Sequence, residues 1–219
     1  MTGTRESAGF AARSANVLGD PLLRNFSLML AAATFFYYPA AAELVLFAKE
    51  RLQASDTQVG LLFGAGSLGS LLFALAAPAV ARRLGFRART FGAAALKGLL
   101  LVSFAVLAQF WLGAVVWLLV LGFGTLFSIT SEALKQELVP NELLGRVRSI
   151  TSVISWSLVP LGVLLGGVLV ETTGSPPLLY ACSGSGIAVV ASFFLVTSRE
   201  RESRTIDSIE PVTALADEG

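Results

Sequence analysis

Residues 91–134 read FGAAALKGLLLVSFAVLAQFWLGAVVWLLVLGFGTLFSITSEAL, and Lys97 and Glu132 are the only charged residues in this stretch. A helix needs about 20 predominantly apolar residues to cross the hydrocarbon core of a bilayer, so the stretch is long enough for two crossings. A soluble domain could not cover so long an apolar run with polar surface. The stretch therefore predicts two consecutive transmembrane helices, joined by a tight turn near Gln109–Gly113.

The whole chain has the same apolar character. Of its 219 residues, 54% are hydrophobic and 14% are charged, whereas a soluble domain carries roughly 25% charged residues. The apolar residues form long blocks with short charged clusters between them, which predicts an all-α polytopic membrane protein with six transmembrane helices. We place these helices at about Phe26–Ala48, Val59–Ala81, Phe91–Phe110, Leu112–Leu134, Val147–Val170 and Pro177–Thr197.

The basic residues are distributed unequally between the two sides that a six-helix topology defines. Of the 16 Lys and Arg residues, Lys49 and Arg51 fall on one side, Lys97 lies inside the third helix, and the others share the side of the termini. Cytoplasmic loops carry the excess of Lys and Arg in membrane proteins. We therefore predict a multi-pass protein of a bacterial-type plasma (inner) membrane, with both termini in the cytoplasm.

The polar ends of the chain complete the predicted domain organisation. Residues 25–198 form the six-helix transmembrane domain, and residues 1–24 form a cytoplasmic N-terminal segment without the apolar stretch of a cleavable signal peptide. Residues 199–219 are polar, rich in acidic side chains and without apolar periodicity, which predicts a disordered cytoplasmic tail.

The composition argues against several classes of function. The chain has no histidine and a formal net charge of +1, so neither a histidine metal site nor a nucleic-acid partner is indicated. No P-loop motif occurs, and no nucleophile elbow occurs in a strand–turn–helix context. We therefore predict no catalytic residues, no metal, no cofactor and no enzymatic activity. The single cysteine, Cys182, is expected to be a small packing residue without a disulfide.

Three stretches of the sequence resemble a known family. Residues 81–89, ARRLGFRAR, resemble the short basic loop of major facilitator transporters, in which Arg83 and Gly85 match the arginine and glycine, and Arg82 replaces an acidic residue. Residues 136–149, QELVPNELLGRVRS, and residues 160–167, PLGVLLGG, resemble the loop after the tenth helix and the eleventh helix of major-facilitator exporters. The most similar branch is the enterobactin-exporter and macrolide-efflux-like one.

This resemblance implies a fold, a function and a set of partners. The family has twelve helices in two halves, and this chain would supply the second half, six helices arranged as two inverted three-helix repeats. Residues 1–24 would then be the remnant of the central linker. The implied function is secondary-active efflux of a small molecule such as a siderophore or drug, driven by an ion gradient, most simply of protons. The partners are the lipid bilayer, the small-molecule substrate and a second six-helix half, either an N-terminal half or a second copy in a homodimer.

A different class of function stays open beside the transporter. The chain could be a truncated product without transport activity, retained as a membrane interaction or scaffold protein. The DNA immediately upstream would separate these readings, because a split transporter has a six-helix half encoded there.

The first and third helices carry the substrate-path candidates. Glu43 is either a carboxylate that lines a cavity or an interfacial residue paired with Lys49, and Lys97 is a snorkelling lysine, a cavity cation or a partner of Glu132. The aromatic run Phe35–Tyr38 either contacts a substrate, through Tyr37 and Tyr38, or packs against a neighbouring helix.

Four residues are candidates for gating at the cytoplasmic side. Arg83 and Gly85 belong to the basic loop, Glu132 lies near the end of the fourth helix, and Arg146 precedes the fifth. Ion pairs between such loops can hold one state of a gate, which is the role that we predict for them.

Glycine and proline mark positions of close packing and bending. Gly60 and Gly64 are four residues apart and are expected to share a face that another backbone can approach. Such faces serve either ordinary packing or the sliding of helices in alternating access. Pro39 and Pro160 permit kinks in the first and fifth helices. The same packing role is expected of Gly162, Gly166, Gly167, Gly184 and Gly186.

Overall fold

The computed structural model describes residues 21–138 and 141–195, and regular secondary structure in this part of the chain is helical throughout. The helices are α1 Pro21–Ala42, α2 Leu44–Glu50, α3 Asp56–Arg83, α4 Phe86–Val106, α5 Phe110–Leu138, α6 Asn141–Thr173 and α7 Pro176–Leu195. Most of the predicted N-terminal segment, the predicted tail and the end of the sixth predicted helix lie outside the described residues.

The number of membrane spans agrees with the prediction. Each of the helices α3 to α7 is long and apolar enough to cross a bilayer, and α1 and α2, bent by 45° relative to each other, bring the number to six when the pair is counted as one span. The predicted position of the turn between the third and fourth spans is corrected: the turn lies at residues 107–109 rather than near Gln109–Gly113. Gly113 lies within α5 and packs close to Leu52, since a Cβ atom there would lie 2.9 Å from Leu52 Cδ1.

The outer surface of the bundle is apolar, as a lipid-facing surface has to be. Leu75 on α3 and Leu164 on α6 are 72% and 65% exposed, and neighbouring leucines and valines on these helices are exposed as well. Cys182, which was expected to be a small packing residue, is exposed instead. In hydrocarbon an outward apolar side chain costs nothing, which is why apolar character alone does not predict burial here.

The bend in the first span lies at Glu43, between α1 and α2. Pro39 has no N–H and so leaves the carbonyl of Phe35 without its helical donor. Gly162 of α6 packs directly beside that carbonyl, since a Cβ atom on Gly162 would lie 2.7 Å from Phe35 O. At the bend itself, the hydroxyl of Tyr180 on α7 donates a buried hydrogen bond of 2.7 Å to the carbonyl of Ala40. A proline, a glycine and a tyrosine from three spans therefore shape this bend.

Tyr180→Phe should destabilise the chain by about 1–2 kcal/mol, because the Ala40 carbonyl loses its buried donor while the ring keeps its packing. The measurement is the free energy of unfolding of the purified chain in mixed micelles. Tyr38→Phe is the matched control, since the Tyr38 hydroxyl makes no hydrogen bond within the described residues, and its change should stay within about 0.5 kcal/mol. Equal losses in the two variants would contradict a special role for the Tyr180 hydroxyl.

The helix contacts are those of two three-helix repeats. α1 packs along α6, and α3 packs along α5. In span numbers these pairs are one with five and two with four. If span one corresponds to span four and span two to span five, each pair corresponds to the other. The third members of the two sets, α4 and α7, also meet, since a Cβ atom on Gly98 would lie 2.7 Å from Gly184 O. Because each set has an odd number of spans, the two repeats have opposite orientations, and the predicted all-α fold with inverted repeats is confirmed.

The glycines that let helices approach are partly different from those expected. On α3, a Cβ atom on Gly66 would lie 2.7 Å from Leu121 Cδ1, and one on Gly69 would clash with the Leu118 carbonyl of α5. Gly60 and Gly64 have nothing within 4 Å of such a Cβ atom, so the prediction that they carry the contact is wrong. The packed face of α3 is the one that also holds the buried residues Val59, Leu62 and Ala77. Of the other predicted glycines, Gly162, Gly166, Gly184 and Gly186 are in close contact, and Gly167 is not.

Two clusters of buried side chains divide the interior of the bundle. The first is aromatic: the ring centroid of Phe47 lies 4.8 Å from that of Phe104 and 4.5 Å from that of Tyr180, and Trp117 lies 5.5 Å from Phe104. The second contains Met29, Phe91, Leu126 and Phe127, together with small residues of α3, α4 and α7. The space between these two clusters holds the candidate site.

Candidate functional site

A partly open cavity of about 400 Å³ lies between the two clusters. Its walls come mainly from α1, α4 and α5, with one residue each from α3 and α7. The lining residues are Leu30, Ala33, Thr34, Tyr37, Tyr38, Ser70, Ala94, Lys97, Leu121, Gly124, Thr125, Phe127, Ser128 and Ile187. Three of the four predicted substrate-path residues, Tyr37, Tyr38 and Lys97, are therefore together in one cavity.

Lys97 provides the only ionisable ammonium or carboxylate group among the lining residues. It lies about halfway along α4, and its Nζ is 3.4 Å from the centroid of the Tyr37 ring on α1. The side chain is thus directed across to a neighbouring helix, and the snorkelling alternative does not describe it. In the described part of the chain no carboxylate or hydrogen-bond acceptor pairs with this ammonium, so the alternative of a Lys97–Glu132 pair is not formed either.

Gly124 of α5 makes room for the lysine. A Cβ atom at this position would lie 3.3 Å from Lys97 Nζ and 3.5 Å from Lys97 Cε, which is tighter than an ordinary van der Waals contact for the nitrogen. Gly124 carried no signal in the sequence, because a single glycine within an apolar helix has no spacing pattern. Its proximity to Lys97 appears only when α4 and α5 are packed together.

Several hydroxyl groups line the same cavity. The Thr34 hydroxyl donates to the Leu30 carbonyl of its own helix at 2.7 Å. The hydroxyls of Ser70, Thr125 and Ser128 make no hydrogen bond to other side chains or backbone groups among the described residues, so they remain available to a bound molecule. These three positions carried no signal in the sequence, since serine and threonine are common in transmembrane helices.

The aromatic run of α1 divides between packing and the cavity. Phe35 and Phe36 contact α6 and α7, where a Cβ atom on Gly186 would lie 2.5 Å from the Phe36 ring. Tyr37 and Tyr38 line the cavity instead, with ring centroids 5.5 Å apart. Tyr38 also lies 5.3 Å from the ring of Trp156 on α6. The packing alternative therefore describes Phe35 and Phe36, and the position that a substrate contact requires is that of Tyr37 and Tyr38.

Glu43 is separate from this cavity. It lies partly buried at the bend between α1 and α2 and is not one of the lining residues. The alternative in which it pairs with Lys49 is not formed, because Lys49 Nζ lies 2.6 Å from Asp56 Oδ1 at the start of α3. A role for Glu43 on the substrate path stays a prediction.

The candidate gating residues are brought together only in part. Glu132 of α5 lies 2.8 Å from the ammonium of Lys135, a buried residue, and 3.6 Å from Arg148 Nε on α6. Arg83 and Gly85 are exposed at the connection between α3 and α4. The side chain of Arg146 lies outside the described residues. Lys135 and Arg148 were not among the predicted gating residues, although the spacing of three residues between Glu132 and Lys135 is the spacing of a helical ion pair.

Comparison with known proteins is consistent with this geometry. The family model of the Major Facilitator Superfamily matches residues 25–217. No curated protein sequence matches the chain. The family match extends over all six spans and includes every lining residue of the cavity. The chain therefore belongs to the Major Facilitator Superfamily, a family of membrane transporters.

Proposed function

We propose that this chain forms one half of a secondary-active exporter, in which the Tyr37–Lys97 cavity is one wall of the path taken by a small molecule. The observation that carries the proposal is the position of Lys97, about halfway along a membrane-spanning helix and directed into a cavity lined by hydroxyl groups. Ionisable side chains at that depth are costly and usually mark a substrate or ion pathway.

The open side of the cavity indicates what the bundle faces. A lysine, two tyrosines and three hydroxyl groups would be poorly solvated if this side faced lipid. We propose that it faces a second six-helix half across a water-filled path, either a second copy of this chain or a separate N-terminal half. The substrate would then lie between the two halves, near the bilayer midplane, as it does in transporters built from repeats.

The direction and the energy source of transport rest on the sequence. Residues 136–149 and 160–167 resemble those of exporters, which supports efflux of a siderophore-like or drug-like molecule driven by a proton gradient. The excess of basic residues on one side supports a plasma-membrane protein with cytoplasmic termini. In this orientation the Glu132–Lys135–Arg148 cluster lies at the cytoplasmic ends of α5 and α6, where, together with Arg83, Gly85 and Arg146, it would act on a cytoplasmic gate.

Cysteine accessibility tests the proposed path without knowledge of the cargo. Cys182 is the only cysteine, and its replacement by alanine gives a background free of thiols. Thr125→Cys, in the cavity wall, should then react with a membrane-impermeant maleimide in right-side-out and in inside-out vesicles. The thiol reacts as its thiolate, which needs water, and the proposed path would be open to water from each side in turn. Leu99→Cys is the control: it lies on α4, is 57% exposed on the outer surface, and should react in neither.

The labelling results separate a transporter from a scaffold protein. Reaction of Thr125→Cys from both sides supports alternating access, and reaction from one side only, or from neither, contradicts it. A proton-driven transporter should also change the ratio of the two labelling rates when a protonophore collapses the pH gradient. An unchanged ratio would argue against proton coupling.

A further inference from the structure

We infer that the cargo of this cavity is an organic anion, whose acidic group pairs with the Lys97 ammonium while its apolar body lies against Tyr37 and Tyr38. The inference rests on the proposed function, because it assigns the substrate class of the proposed path. Its starting point is a charge balance: the lining residues include one lysine and no aspartate or glutamate.

The ammonium of Lys97 lacks a counter-charge within the described residues. Its contact with the Tyr37 ring is a cation–π interaction, with Nζ 3.4 Å from the ring centroid. Such a contact offsets only part of the hydration that an ammonium loses between membrane helices. A carboxylate would normally complete the compensation. Glu132, the carboxylate nearest to Lys97 in the sequence, is already paired with Lys135 and Arg148. A bound anion can supply the missing charge.

The geometry also selects the form of that anion. The Tyr37 ring covers one side of the ammonium and Gly124 of α5 lies close to it as well, so an anion would reach the ammonium from the cavity that Lys97 lines. Hydroxyls of Thr125 and Ser128 on α5 line the same cavity and are available as further donors. A planar or aromatic body can lie on Tyr38, whose ring is also in contact with Trp156. The volume, about 400 Å³, is in the usual range for small-molecule pockets.

The same charge disfavours other classes of cargo. A cationic drug would place its charge beside an unpaired ammonium in surroundings of low dielectric constant, where like charges repel strongly. A neutral molecule would leave the ammonium uncompensated. The cavity should therefore prefer an anion over a neutral molecule of the same shape, and a neutral molecule over a cation.

Three naphthalene probes of nearly equal shape test this order. The full chain is reconstituted in nanodiscs of zwitterionic lipid, and equilibrium dialysis measures binding of 2-naphthoate, neutral 2-naphthamide and cationic 2-naphthylmethylammonium. We expect naphthoate to bind at least about tenfold more tightly than naphthamide, and the cation to bind more weakly still. Binding of the wild-type chain in any other order would overturn the inference without any need for a variant.

Two substitutions then assign the preference to the lysine. Lys97→Met keeps the length of the side chain and should remove the difference between naphthoate and naphthamide, while Lys97→Arg should retain it. A preference that survives in Lys97→Met would overturn the inference. The cysteine labelling distinguishes the two proposals: a cavity accessible from both sides without an anion preference leaves the transporter standing and removes only the substrate class.

Discussion

Gly69→Val is expected to destabilise the six-helix bundle by about 3 kcal/mol or more, a large part of the stability of an ordinary domain. A Cβ atom at this position would clash with the Leu118 carbonyl of α5. If the neighbouring atom belonged to a side chain, that side chain could rotate away. The Leu118 carbonyl is part of a helix backbone, which cannot move without separating α3 from α5. The measurement is the free energy of unfolding in mixed micelles, together with the monodisperse fraction after purification.

Gly64→Val is the matched control for this substitution. It lies on the same helix, five residues away, and nothing lies within 4 Å of a Cβ atom built there. Both variants exchange glycine for valine within α3, so their difference isolates the contact with α5. We expect Gly64→Val to change the stability by no more than about 0.5 kcal/mol. Similar losses in the two variants would show that the α3–α5 contact is not tight.

The contrast between these glycines shows what the sequence could predict about packing. Gly60 and Gly64 predicted a close helix contact of α3, and such a contact exists, but Gly66 and Gly69 carry it. In a soluble helix the polar face would have shown which side packs inward. On α3 both faces are apolar because one of them meets lipid, so the spacing of glycines could not identify the inner face.

The candidate site was predictable to the extent that its residues were unusual for a membrane helix. Lys97 is a charge in an apolar block, and Tyr37 and Tyr38 stand beside a proline, so all three could be selected from the sequence. Gly124 and the hydroxyls of Thr125 and Ser128 resemble ordinary helix-packing residues, and only the fold places them in the cavity. Glu43 was unusual in the same way as Lys97, yet it lies at the bend between α1 and α2 and does not line the cavity.

Glu132→Gln is expected to cost about 3 kcal/mol of stability, because it leaves the buried ammonium of Lys135 without a counter-charge. The side chain of Lys135 is 4% exposed and its Nζ lies 2.8 Å from Glu132 Oε1. Because Glu132 is itself 37% exposed, the loss should fall at the lower end of the range for a broken buried ion pair. The measurement is again the free energy of unfolding in micelles, and the effect should persist in high salt, since a buried pair is little screened.

Two further variants make this prediction specific to Lys135. Arg148→Gln removes the other partner of Glu132, but Arg148 is 64% exposed and 3.6 Å away, so its loss should cost at most about 1 kcal/mol. Glu132→Gln combined with Lys135→Met removes both charges of the buried pair and should recover most of the stability, because an apolar replacement avoids burying an ion. A double variant no more stable than Glu132→Gln alone would show that the carboxylate acts through Arg148, which would make the contact between α5 and α6, rather than the buried lysine, the interaction that holds this end of the bundle together.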